Sequence, residues 1–161
     1  MSEHANEVAV EVMPCLSVRA PWWWWIIYGG KNIENRDWDT DYRGPCAIHA
    51  SKWWTNTGFK AAMDSAHEMA GSTRHLDHVL EQWTPRKIKN LGGHIVGIVD
   101  IVGTATASKS PWFVGKYGFV LANPRPLTPT VPFVGKLGFF KVPKHMLQPG
   151  AHKCAPPGEP T

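Results

Sequence analysis

The sequence predicts one mainly β domain with accessory helices, an α+β arrangement whose strands form a closed or nearly closed barrel. Three observations carry this expectation. Short apolar, β-branched runs recur between clusters of glycine and proline, the rhythm of a strand-rich fold. Helical spacing of apolar residues is confined to a few segments, the longest near 57–69 and 75–83. Finally, Phe113–Val120 (FVGKYGFV) is nearly repeated as Phe133–Phe140 (FVGKLGFF). Two copies are too few for a solenoid, so they read as two similar approaches from turn to strand within one sheet.

Residues 1–13 lack periodicity and residues 148–161 carry Pro149, Pro156, Pro157 and Pro160, so both ends are expected to be loosely ordered around a domain at 14–147. Cys15–Val18 is a first strand. Pro21 suits the first helical position and Trp22–Tyr28 a short buried helix, closed by Gly29 or Gly30 in the left-handed conformation. Four tryptophans in a row, Trp22–Trp25, cover nearly a full helical turn, so most of them must be core. Lys31–Asp41 is polar. Cys46–Ala50 is strand-like, with His49 and Ser51 on one face. The helical patterns between about 53 and 90 read as an insertion packed on the barrel. His94–Val102 is the clearest strand, apolar enough to be buried on both faces, and Asp100 shares a side with Val96, Ile98 and Val102. Gly118 and Gly138 permit sharp bends or the close approach of another backbone.

Composition narrows the classes of function. With 43% hydrophobic and 19% charged residues in 161, the chain can bury one core and lacks the signature of disorder. Trp22–Tyr28 is far shorter than the roughly 20 apolar residues a bilayer requires, and no signal segment opens the chain, so a cytoplasmic protein with no membrane partner is expected, taken as a monomer. The three cysteines, Cys15, Cys46 and Cys154, form no C-x-x-C pair and suggest reduced thiols. His75 and His78 with Asp77, and His67-Glu68 upstream, fall short of a zinc pattern, so no metal or other cofactor is expected. From Ile101 to Gly158 there is no acidic residue, while Lys109, Lys116, Arg125, Lys136, Lys141, Lys144 and Lys153 are basic. Such asymmetry favours partners that bear phosphate.

The most informative segment begins at Leu16-Ser17-Val18-Arg19-Ala20-Pro21-Trp22 and continues through Gly30, Lys31, Glu34, Arg36 and Trp38. Gly30, Lys31, Glu34 and Arg36 resemble the G-x-K-x-x-E-x-R signature of ASCH domains, relatives of the RNA-binding PUA domains. Tyr42-Arg43-Gly44-Pro45 leading to Ile48–Ser51, the strand Gly97–Asp100, Tyr117–Leu121 with Asn123-Pro124, and Gly135 with Gly138 are similar to that family too, so that the resemblance spans roughly Cys15–Val142. It implies a PUA-like β-barrel, or pseudobarrel, with a cleft beside the signature loop. Relatives include RNA binders, at least one ribonuclease and small amidohydrolases of acylated cytidine.

The leading reading is a binder of RNA or of a nucleobase-like small molecule such as a modified nucleoside. Ser17, Arg19, Trp22, Lys31, Glu34, Arg36, Trp38, Trp112, Lys116, Tyr117 and Asn123 are its candidate contacts. Cations would hold phosphate, and Trp22, Trp38, Trp112 or Tyr117 would stack on an unpaired base. The alternative is a hydrolase. As an amidohydrolase it would use Lys31, its pKa lowered by burial, as base, with Glu34 or Asp100 relaying the proton; the resemblance implies a hydroxyl residue where this chain has Glu34. As a ribonuclease it would use Lys31 against phosphorane charge, with Tyr117 or Ser17 positioning the scissile group. His49 reads as a satisfied structural histidine. A third reading is a protein-interaction module using surface tryptophans such as Trp53 and Trp54.

Overall fold

The structure is a computed structural model and describes residues 9–52 and 54–148. Trp53 and the stretches 1–8 and 149–161, Cys154 included, lie outside the described residues, while Val12 and Met13, expected in the loose N-terminal stretch, open the first strand by pairing with Pro143 and Val142. Strand β1 (Val12–Val18) leads to helix α1 (Trp22–Ile27), β2 (Ile33–Arg36) and β3 (Gly44–Ala50). Helices α2 (Asn56–Ala70), α3 (Asp77–Leu80) and α4 (Pro85–Asn90), with a 3-10 turn at Arg74–Leu76, follow where the inserted helices are expected. Then come β4 (His94–Ala105), β5 (Tyr117–Pro132), β6 (Phe139–Pro143) and a last 3-10 turn, Lys144–Leu147.

The strands form one six-stranded sheet in the order β2-β5-β4-β3-β1-β6. Only the β1–β3 pair is parallel. No ladder joins the edge strands β2 and β6, so the sheet is mixed α+β architecture that does not close into a hydrogen-bonded barrel. Side chains span the gap instead. The Arg36 guanidinium at the end of β2 donates to the Ser17 carbonyl on β1 at 2.9 Å. Just past β2, the Trp38 ring lies 5.3 Å from Phe139 at the start of β6 and 5.1 Å from Phe119 on β5.

Period-two alternation gives the sheet two cores. Leu16, Val18, Ile48 and Ala50 join the main core with α1, Val99, Ile101 and Phe119. Cys15 and Ala47 point the other way, into a smaller core with Ile95, Val131, Phe140, Val142 and Leu147. Both described cysteines are free and buried, as small core residues.

Helix α1 is the centre of the main core. Trp23, Trp24 and Trp25 are fully buried. Trp24 and Trp25 meet edge-on at 5.2 Å, and Trp25 faces Trp112 at 5.7 Å. Pro21 sits one position before the helix rather than inside it. At the other end Gly30 takes the left-handed turn, with φ at 79°, and the Lys31 amide returns to the Trp25 carbonyl at 2.9 Å.

Three elements depart from expectation. The polar stretch Lys31–Asp41 contains β2, because an edge strand paired on one side only, here with β5, can carry polar residues. β5 runs on through Pro124, Pro126 and Pro129, where breaks were expected; its ladder with β4 shifts register between Ile95 and Gly97 and again between Ile98 and Asp100. Such irregularities are where residues without an amide hydrogen can sit in a strand. β4 is buried on both sides only in its first half, and Asp100 and Val102 lie on the more open side of the second.

The repeated octapeptides do lead into strands, β5 and β6, and their equivalent phenylalanines, Phe119 and Phe139, stack at 6.0 Å with rings 12° apart. Their glycines serve different ends. A Cβ on Gly118 would lie 2.7 Å from Phe113 and 2.8 Å from Ile33, so it marks a close approach, whereas Gly138 turns the chain with φ at 65°.

Gly97 offers a test of this packing. A Cβ there would stand 2.5 Å from Ile27 Cδ1 and 2.8 Å from the Arg125 carbonyl oxygen. Gly97→Ala is expected to lower stability by about 1–3 kcal/mol, seen as a lower urea midpoint with an unchanged denaturant slope.

Candidate functional site

Just after α1 and along β2 the chain brings three charges together, two of them buried and the third, Arg36, half-buried. Lys31, 5% exposed, and Glu34, 7% exposed, meet at 3.4 Å, and Arg36 Nη2 reaches the other Glu34 oxygen at 3.1 Å. The Lys31 ammonium also donates to the Ile33 carbonyl and lies 5.9 Å from the Trp22 ring centroid. Burial lowers the Lys31 pKa, Glu34 opposes that fall, and the Arg36 charge adds to it. The arrangement is a carboxylate held between two cations, and one of those cations ties β2 to β1. Counting back from Lys31, the glycine of the signature spacing is Gly29 rather than Gly30. Its place is set by packing, since a Cβ there would collide with the Trp25 ring.

On the opposite side of β1, in line with Cys15, the Ser17 side chain meets His49, its register partner across the parallel β1–β3 ladder. Ser17 Oγ and His49 Nδ1 are 3.0 Å apart, and His49 Nε2 is 2.7 Å from the Phe133 carbonyl. A carbonyl only accepts, so Nε2 carries the proton and Nδ1 accepts from the Ser17 hydroxyl. Burial holds the His49 pKa below its ordinary value, against the Phe133 bond that raises it; the neighbouring His94 and Lys52 lower it further. The pair opens on a hollow of about 400 Å³ between the strands and the segment 133–137. Ser51, Lys52, Phe133, Val134, Lys136 and Leu137 line the rest of it, together with Gly93 and Gly135. A second hollow, of about 430 Å³, lies among Trp54, Phe59, Met63 and Pro85 in the inserted helices.

Neither hollow is lined by Lys31, Glu34 or Arg36, so the cleft expected around those three is not where the described hollows lie. Of the other residues singled out from the sequence, Ser17 alone lines the first hollow. Trp112 is buried against Trp25 and leaves no face for a base; its carbonyl accepts from Asn35 Nδ2 at 2.8 Å. Trp38 is half-buried on Phe119 and Phe139. Tyr117 pairs with Arg36 in the β2–β5 ladder, and the exposed Lys116 ammonium lies 5.3 Å from its ring. Arg19 is exposed just past β1, and Trp22 is half-buried over Lys31. Asp100 and Asn123 belong elsewhere. The Asp100 carboxylate accepts from Asn123 at 2.9 Å and pairs with Arg125 at 3.1 Å, bonds that lower its pKa.

Sequence reasoning missed Lys52 and Phe133 as site residues and named Lys136 only among the basic residues of the second half. The alternation of His49 with Ser51, the repeat at 133–140 and that basic run were the signals, and none tells that the second repeat folds over β3.

An α+β protein with a PUA-like open sheet, an ion triad at the first edge strand and a polar hollow on the far face of β1 is thereby defined. The chain belongs to the ASCH family: the model of the ASCH domain matches residues 16–114. No curated protein matches it. Membership supports an RNA-binding or related PUA-like function at the level of the family. No helix among the described residues is long and apolar enough to cross a membrane.

Two outcomes test the electrostatics. Glu34→Gln leaves the buried Lys31 and the half-buried Arg36 without their carboxylate and is expected to cost about 3–5 kcal/mol in denaturant unfolding. Because the folded His49 pKa is depressed, the unfolded chain takes up that proton first as pH falls through about 6.5. Stability should therefore drop between pH 7 and pH 5 more steeply in the wild type than in His49→Gln, measured by urea unfolding across that range.

Proposed function

We propose that this protein binds single-stranded RNA or a modified nucleoside, with one base entering the hollow beside Ser17 and His49. The observation that carries the reading is the composition of that hollow: about 400 Å³ open to solvent, with Lys52 and Lys136 at its wall, Phe133, Val134 and Leu137 offering apolar surface, and the Ser17 hydroxyl oxygen offering a polar contact. Pockets for small ligands have this mixture of apolar walls and a few polar groups. Unpaired bases are recognised by stacking and by bonds to their edges, while lysines hold the flanking phosphates.

In this reading the signature residues act as the frame. Glu34 holds Arg36, Arg36 holds the Ser17 carbonyl, and Ser17 faces the ligand. Arg19, Trp22, Lys116 and Tyr117 are left to contact nucleotides further along a strand. The working unit is taken as residues 14–147, with 53–90 as an insertion. A hydrolase using Lys31 as base has less support, since that ammonium lies beneath Trp22 and is engaged by the Ile33 carbonyl and Glu34.

Titration of a labelled single-stranded RNA by fluorescence anisotropy at several salt concentrations tests the reading. Lys52→Ala and Lys136→Ala are each expected to weaken binding and to reduce the slope of log affinity against log salt by about 1. Unchanged affinity and slope in the double variant would remove the hollow from the binding surface.

A further inference from the structure

The hydrogen bond between Ser17 and His49 has the geometry of a nucleophile with its base. The hydroxyl is 3.0 Å from an unprotonated ring nitrogen, and the Phe133 carbonyl, 2.7 Å from the other nitrogen, fixes both the tautomer and the ring plane. An activated nucleophile requires those three parts: a hydroxyl, a base within hydrogen-bond reach, and a group that orients the base. A serine that merely joined two strands would sit sealed between them. This one faces an open hollow, and so does the imidazole. The backbone of the covering segment comes so close that a Cβ on Gly135 would lie 2.7 Å from Ser17 Oγ and 2.6 Å from His49 Cε1. Only glycine at 135 lets the backbone of the segment lie against one side of the pair, since any side chain there would collide with both residues.

We infer that Ser17 and His49 form a nucleophile–base pair for acyl transfer from a small carboxylic ester that bears a negative charge. Ser17 Oγ attacks the ester carbonyl carbon as its proton passes to His49 Nδ1. The bond from that carbon to the alcohol oxygen then breaks, and His49 returns the proton to the departing alkoxide. In the second half His49 takes a proton from water, the hydroxide attacks the acyl-serine, and the carboxylic acid leaves as Ser17 recovers its proton. Lys52 and Lys136, on the same wall, meet the negative charge of the substrate, and Phe133, Val134 and Leu137 take its apolar part. This inference does not rest on the nucleic-acid reading, because the reaction of Ser17 with a small probe requires no RNA.

The test uses the full chain and a small alkyl fluorophosphonate, which phosphonylates an activated serine with loss of fluoride. Intact mass spectrometry and peptide mapping are expected to show one adduct, on Ser17, that is absent from Ser17→Ala. In His49→Gln, verified as folded by circular dichroism, labelling should slow by about a hundredfold, as loss of a general base does. The titratable groups that act on His49 are Lys52 and His94, with Lys136 across the hollow. Together with burial, the first two keep the ring neutral to below the usual histidine range, so the wild-type rate should be flat from pH 7 to 8 and fall towards pH 5. Absence of a Ser17 adduct in the folded wild type overturns the inference. So does equal labelling of wild type and folded His49→Gln, or, if that variant does not fold, a wild-type rate that is the same at pH 5 and pH 8. RNA binding without a Ser17 adduct would defeat this pair alone, whereas an adduct without RNA binding would defeat only the proposed function.

Discussion

An open sheet needs something other than a ladder to hold its edges together, and here a half-buried guanidinium does it. Arg36 reaches from the first edge strand to the Ser17 carbonyl on β1, and Glu34 holds it in place while also accepting Lys31. Charges taken out of water, as Lys31 and Glu34 are, are costly unless each is paired and bonded, and a carboxylate between two cations meets that condition. The interaction sets more than the edge of the sheet. It fixes β1 at the residue whose side chain faces the hollow, so the ion triad and the candidate site are linked through one peptide group.

The tryptophan block explains how so small a helix can organise the main core. α1 has six residues and no side-chain cap, so its own hydrogen bonds stabilise it little. Packing does the work. Trp23, Trp24 and Trp25 each fill a different direction around the helix, and the inserted helices supply the outer cover, with Trp83 against Trp23 at 6.0 Å and His67 against Trp25 at 5.1 Å. The insertion is therefore part of the core rather than an ornament on it. Lys31 emerges from the end of this helix directly into the ion triad, which places the signature residues by way of aromatic packing.

The basic second half of the chain is less one-sided in space than along the sequence. Arg125 is engaged by Asp100, and Lys144 approaches Glu11 at 3.8 Å. Lys136 instead stands at the hollow, where Lys52 from the first half joins it. A field at a site comes from the charges that folding brings there, and in this protein both halves contribute.

The sequence by itself determined the family, five of the six strands near their true places, the helices between β3 and β4, and the burial of the tryptophan run. These are properties of neighbours along the chain: alternation, helical spacing and glycine at turns are written locally. It did not determine that Lys31–Asp41 holds an edge strand, that β5 passes through its prolines, or that the sheet stays open, because edge pairing and register irregularities depend on which strand lies alongside. Nor could it place the site. Ser17 and His49 are 32 residues apart and meet only because β1 and β3 pair in parallel with those two residues opposite. Phe133 and Lys136 reach them because the second repeat folds across β3. Meetings of this kind are made by topology, and no local pattern encodes them.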